Sequence, residues 1–74
     1  MKTQEKNNEI SVIVENYTKN EIINALMNYS ESYYGERDIL EYLPIEKLAE
    51  MLIDLADGTD YTAQDLLDAT IGGF

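Results

Sequence analysis

The stretch PIEKLAEMLIDLADG, residues 44–58, decides the fold of this chain. Apolar side chains recur in it at the three- and four-residue spacing of one helix face, with proline at its start and glycine at its end. We therefore predict a helix over residues 44–57. The side chains expected on its buried face are Ile45, Leu48, Leu52, Leu55 and Ala56.

The segment before this helix predicts another one. Thr18-Lys19-Asn20-Glu21 is a capping box, in which the threonine hydroxyl accepts from the Glu21 amide while the Glu21 carboxylate reaches back to the cap. Apolar residues at helical spacing follow, and Gly35 is a natural stop, so we place this helix at 19–34. Its apolar face is expected to hold Ile22, Ile23, Leu26, Met27, Ser30 and Tyr33 or Tyr34.

Two shorter elements flank the central helix. Residues 38–43 are amphipathic, and Pro44 disfavours helical geometry at the residue before it, so a short turn or helix ends there. Pro44 suits the first position of the helix that follows. Beyond Gly58, residues 62–65 form a variant capping box with aspartate in the last place. It predicts a helix over about 63–70 that packs Leu66, Leu67 and Ile71.

The N-terminal part is ambiguous. Residues 1–9 are polar and lack periodicity, which predicts a flexible arm ahead of a single acidic helical domain at 10–74. Residues 10–17 alternate as a strand would and also fit a helical stripe; their β-branched composition favours the strand slightly. The predicted fold class is therefore mainly α, a small bundle of three to four short helices with one optional β-strand at 10–17.

The charge of the chain restricts its partners. It has 15 acidic and 5 basic side chains, a net charge of −10, and residues 21–74 contain only two cations, Arg37 and Lys47. A surface this anionic disfavours nucleic acid and acidic membranes as direct partners, because both are bound through cationic side chains. No N-terminal apolar segment resembles a secretory signal, and no apolar run approaches the roughly 18 residues of a membrane span. We expect a cytoplasmic protein with a protein partner.

Composition also restricts the chemistry. The chain has no cysteine and no histidine, which excludes disulfides, a thiol nucleophile and the usual general base. The remaining polar residues form no recognisable acid–base or nucleophile pair, so we expect no enzyme, no catalytic residue and no cofactor. We also expect no metal site, since an EF-hand with Gly58 in sixth place would need a ligand at Ile53. Weak buffering of divalent cations is a minor alternative.

Several carboxylates weaken the helices that carry them. Four lie on one face of the 44–57 helix, at spacings of four, four and three: Glu46, Glu50, Asp54 and Asp57. Like charges at such spacings destabilise a helix by about 0.2–0.5 kcal/mol per pair. Asp68 and Glu31 lie near the negative ends of their own helix dipoles. Charges that destabilise their own helix without an evident compensating interaction indicate a function. The alternative is that this helix face is simply solvated.

Tyrosines are the second informative feature. The chain has six, and three cluster at the end of the 19–34 helix. Tyrosine beside carboxylates suits an arginine-rich partner, through cation–π contacts and salt bridges. The alternative is that the rings cover core edges with their hydroxyls in water. The predicted partner-binding residues are Glu50, Asp54, Asp57, Asp68, Glu31, Tyr29, Tyr33 and Tyr34.

These features predict a protein-binding module that docks a carboxylate and tyrosine face on a basic surface of its partner. If that surface normally binds nucleic acid, the chain is a nucleic-acid-mimicking inhibitor. In composition it is similar to small acidic proteins of phages and mobile elements that block restriction or CRISPR nucleases. The alternative is a structural or regulatory homodimer, joined through residues 10–17 or through the tyrosine-rich helix, in which the charge only maintains solubility.

Overall fold

The fold is mainly α in a computed structural model that describes residues 2–30 and 36–72, with side chains from residue 6 onward. The described ranges contain five helices and no strand. They are α1 (Lys2–Asn16), α2 (Lys19–Tyr29), α3 (Arg37–Glu41), α4 (Ile45–Asp57) and α5 (Ala63–Gly72). The predicted fold class, a small bundle of short helices, is confirmed. Within these ranges no helix has the length and apolar character that crossing a membrane requires.

The core lies where α2 and α4 meet. α4 packs against α1, α2 and α5, and α2 also packs against α5 and α3. The predicted apolar face of α4 is buried at Leu48, Leu52 and Ala56 and partly buried at Ile45 and Leu55. Each fully buried Leu or Ile contributes about 1.5–3 kcal/mol relative to an exposed one. The fully buried large side chains are Ile13, Ile22, Ile23, Leu26, Leu40, Leu48, Leu52 and Leu67.

α1 corrects the prediction for the N-terminal part. Residues 10–16, for which a strand was slightly favoured, are helical, so the helical alternative is right. Ile13 is fully buried while Val12 next to it is 40% exposed. Packing against α4 gives the helical stripe a core to cover, whereas a lone strand would lack a partner. α1 also runs without a break across the boundary predicted between residues 9 and 10.

The end of α2 differs from the prediction. The helix ends at Tyr29 rather than at residue 34, because Ser30 has extended backbone angles, φ −123° and ψ 116°. Asn28, Tyr29 and Ser30 have modest helix propensity, which weakens the last turn. The Ser30 amide still donates to the Leu26 carbonyl at 2.9 Å. Residues 31–34, predicted to continue this helix, lie outside the described residues.

Smaller differences occur at two other helix ends. Pro44 is the N-cap of α4, with φ −65° and ψ 153°, and the helix begins one residue later than predicted. α5 continues to Gly72, two residues beyond its predicted end. Ile71, which was expected to pack on the bundle, is 52% exposed.

Both predicted capping boxes are present. In α2, the Glu21 amide donates to Thr18 Oγ1 at 3.1 Å and the Thr18 amide donates to Glu21 Oε1 at 2.7 Å. In α5, the Asp65 amide donates to Thr62 Oγ1 at 3.1 Å and the Thr62 amide donates to Asp65 Oδ2 at 3.0 Å. These bonds satisfy amides that have no partner within the helix, so they fix where α2 and α5 begin.

Candidate functional site

We call the four carboxylates on one face of α4 the carboxylate row: Glu46, Glu50, Asp54 and Asp57. The row reaches α1 at Asp54. The Lys6 ammonium is 2.5 Å from Oδ1 of Asp54. The pKa of Lys6 is raised, chiefly by this hydrogen bond and further by the charges of Asp54, Glu50 and Asp57. Asp54 therefore contacts a cation of the segment predicted to be a flexible arm, and the charges of Glu50 and Asp57 act on the same cation from beyond ion-pair distance.

The other cations whose side chains are described also have acceptors. Lys47 Nζ lies 3.2 Å from Oε1 of Glu50, and Arg37 Nε lies 3.4 Å from Oε1 of Glu41. Lys19 donates to the main-chain carbonyl of Glu41 at 2.6 Å. Exposed ion pairs of this kind stabilise a fold only slightly.

Asp68 has an internal partner as well. The Tyr17 hydroxyl donates to Asp68 Oδ1 at 2.6 Å. This hydrogen bond, followed by burial of the phenol, raises the pKa of Tyr17 to about 12. The carboxylate predicted to meet a partner therefore also links α5 to the junction between α1 and α2.

Three carboxylates between the end of α4 and the start of α5 form no ion pair with a described cation, as is true of several other described carboxylates. Asp57 ends α4, Asp60 lies in the following turn and Asp65 lies in the first turn of α5; we call these three the acidic corner. All three are exposed, and no cation among the described side chains is within 4 Å of them. Asp57 also opposes the dipole of α4. Among the described side chains the acidic corner therefore forms no ion pair, and its one interaction with a described cation is the longer-range effect of the Asp57 charge on the pKa of Lys6.

A groove of about 670 Å³ adjoins the acidic corner at Asp65. Its apolar walls come from α4 and α5, and two tyrosines, 40% and 63% exposed, complete them at the end of α2 and in the turn before α5. The size falls within the range of ligand sites. We call it the tyrosine groove; its described lining residues are Tyr29, Leu55, Thr59, Tyr61, Asp65, Leu66 and Ala69.

The groove and the carboxylate row face different sides of α4. At 3.6 residues per turn, Leu55 is displaced by about 100° around the helix from Asp54 and by about 160° from Asp57. The predicted contact residues thus occupy three places. Glu50, Asp54 and Asp57 lie beside α1, Asp68 lies at Tyr17, and Tyr29 lines the groove. The remaining three, Glu31, Tyr33 and Tyr34, are outside the described residues.

Lys6, Tyr17 and Asp65 were not among the predicted partner-binding residues. Lys6 and Tyr17 were overlooked as partners because the N-terminal segment was not expected to pack as a helix. Asp65 was assigned only to helix capping, which is correct but incomplete, since it also lines the groove. The available signal was Tyr61, an aromatic residue between carboxylates in a short turn between two helices.

In the part of the chain that the structure describes, no group of three or more carboxylates is arranged to hold a metal ion. Comparisons with protein-family models, with curated proteins and with solved structures found no match. The candidate site defined by the geometry consists of the acidic corner and the tyrosine groove.

Proposed function

We propose that the chain is a small protein-binding module that acts in the cytoplasm and docks its carboxylates on a basic surface of a partner. The observation that supports this proposal is the acidic corner, which is exposed and has no described cation within 4 Å. Asp57 destabilises α4 by about 0.3–1 kcal/mol through the helix dipole. A cationic partner would offset that cost in the complex.

The ion pairs indicate which carboxylates a partner's cations would reach without displacing an internal contact. Glu50 and Asp54 already interact with Lys47 and Lys6, so a partner's cations would have to compete for them. Asp57 forms no ion pair with a described cation, so a partner's cation would displace no direct contact there. The acidic corner is therefore the first point of contact, and the row of α4 extends the same interaction along the helix.

The partner surface that we propose is one that normally binds nucleic acid, which makes the chain a nucleic-acid-mimicking inhibitor. Carboxylates four residues apart on α4 rise about 6 Å along the helix axis, a spacing that suits a row of Lys and Arg side chains. The net charge of −10 also attracts a basic surface from a distance, in a way that salt weakens.

Competition with nucleic acid tests this function. The tagged full chain is incubated with host extract, and bound proteins are eluted with duplex DNA, with duplex RNA or with a salt gradient. We expect a nucleic-acid-binding protein that a duplex displaces and that moderate salt releases. A captured protein that neither duplex displaces would contradict mimicry.

A charge-reversed variant tests where on the chain the partner binds. In Asp57→Lys/Asp60→Lys two of the three corner carboxylates become cations, and we expect capture of the same protein to be lost. The matched variant Glu9→Lys/Glu15→Lys makes the same change in net charge on α1 and should lose less. Equal capture by wild type and the corner variant would exclude the acidic corner as the contact.

One observation favours the homodimer alternative. Ile39 and Tyr42 of the α3 region are 60% and 90% exposed, so an apolar patch is available for a second copy. Pairing through a strand at 10–17 no longer has a basis, since residues 10–16 are helical. Sedimentation at micromolar concentration tests this: a dimer that Tyr42→Ala dissociates would support the alternative, and a monomer would remove it.

A further inference from the structure

We propose that the tyrosine groove binds an arginine side chain, together with a neighbouring apolar residue, from a segment of the partner. This inference rests on the proposed function and specifies the chemical group that the partner inserts. It concerns a part of the surface on a different side of α4 from the carboxylate row.

The walls of the groove suit an alkyl chain. Leu55, Leu66 and Ala69 line it, so its surface is largely apolar. Its volume of about 670 Å³ exceeds that of one side chain, which leaves room for an apolar neighbour of the arginine. Burial of this surface would supply the non-specific part of the binding energy.

The polar groups of the groove select the cation. Tyr29 and Tyr61 present exposed rings, and a guanidinium group stacks on such rings more effectively than an ammonium group does. Asp65 uses Oδ2 to accept from the Thr62 amide, while Oδ1 accepts no hydrogen bond from any described residue. That oxygen is free to accept from a guanidinium N–H.

Charge complementarity points to the same occupant. None of the described lining residues is a lysine or arginine, and Asp60, which directly precedes the lining residue Tyr61, adds its negative charge to that of Asp65. A neutral apolar segment would fit the walls and leave this charge unmatched. An arginine beside a leucine uses both the apolar and the anionic parts of the site.

Peptide binding followed by NMR tests the inference. The isotope-labelled full chain is titrated with the capped peptide Ala-Leu-Arg-Leu-Ala and with the same peptide carrying citrulline, a neutral isostere, in place of arginine. We expect amide shifts at Leu55, Tyr61 and Leu66, and an affinity for the citrulline peptide lower by about fivefold to tenfold. Equal affinity for both peptides would show that the groove does not distinguish a guanidinium group from its neutral isostere, which would contradict the inference.

Matched variants locate the effect. Tyr61→Ala should weaken binding of the arginine peptide by about fivefold or more. Tyr42→Ala is the control and should not weaken it, because Tyr42 is even more exposed but is not among the described lining residues of the groove. Asp65→Asn keeps an oxygen for the Thr62 amide and removes the charge, and should weaken binding similarly. Equal losses in the Tyr61 and Tyr42 variants would contradict the inference.

Other occupants would appear in the same spectra. Shifts confined to Glu50 and Asp54 would place the peptide on the carboxylate row instead. Concentration-dependent shifts of the groove without peptide would assign it to a second copy, and nuclear Overhauser contacts with residues 31–35 or 73–74 would assign it to the chain itself. Each result would overturn the inference. If one of these results is obtained and Asp57→Lys/Asp60→Lys still abolishes capture of the partner, the inference about the groove is wrong while the proposed function is supported.

Discussion

The Tyr17 hydroxyl donates a 2.6 Å hydrogen bond to Oδ1 of Asp68, which joins the residue after α1 to the last helix of the bundle. The two residues are 51 positions apart in the chain. Because the acceptor is a carboxylate, the bond favours the neutral phenol and raises its pKa to about 12. The bond therefore makes the stability of the fold sensitive to alkaline pH.

The first prediction concerns that pH dependence. The pKa of Tyr17 rises from 10.0 to about 12 on folding, so its contribution to the free energy of unfolding is complete below pH 10 and is lost as pH rises toward 12. Solvent screening reduces the contribution to about 1 kcal/mol. Urea unfolding of wild type and Tyr17→Phe at several pH values measures it. A stability difference that stays constant between pH 10 and 12 would contradict the bond.

The second prediction tests the helical N-terminal segment. Ile13 is fully buried and Val12 is 40% exposed, so Ile13→Ala should lower the free energy of unfolding by about 2–5 kcal/mol. Val12→Ala should change it by about 0.5–1 kcal/mol at most. Urea unfolding of both variants gives the comparison. A larger loss for Val12→Ala would fit the alternating pattern of a strand and contradict α1.

The third prediction concerns the start of α2. Thr18→Ala removes the oxygen that accepts from the Glu21 amide and should lower the free energy of unfolding by about 1 kcal/mol. Thr18→Ser keeps the hydroxyl and is the control, with an expected loss well below that value. Thermal and urea denaturation both report the difference. If serine and alanine destabilise equally, the capping bond is not the cause.

Most of the helical architecture could be predicted from local signals. The capping residues Thr18 and Thr62 and the apolar stripe of residues 45–56 place the starts of three helices to within one residue. These features act within one turn of the chain, so they are visible in the sequence. The helix end at Tyr29 was harder, because modest propensities decide it and no strong stop signal stands there.

The candidate site was less predictable because its geometry is tertiary. Lys6 and Asp54 are 48 residues apart, and no local pattern pairs them. The segment that carries Lys6 looked irregular, so its cation was not expected on the acidic row. Similarly, the groove forms only where Tyr29, Leu55 and Leu66 meet from three helices. The excess of carboxylates was readable from the sequence, but which of them lack partners was not.

The central claim is that the acidic corner binds a cationic partner, and its most direct test is the dissociation constant of the captured partner for matched variants. Asp57→Asn/Asp60→Asn and the control Glu9→Gln/Glu15→Gln each remove two negative charges, at the corner or on α1. We predict that the corner variant binds about tenfold more weakly, or 1.4 kcal/mol, while the control loses much less. An affinity of the corner variant equal to that of wild type, or equal losses in both variants, would contradict the account.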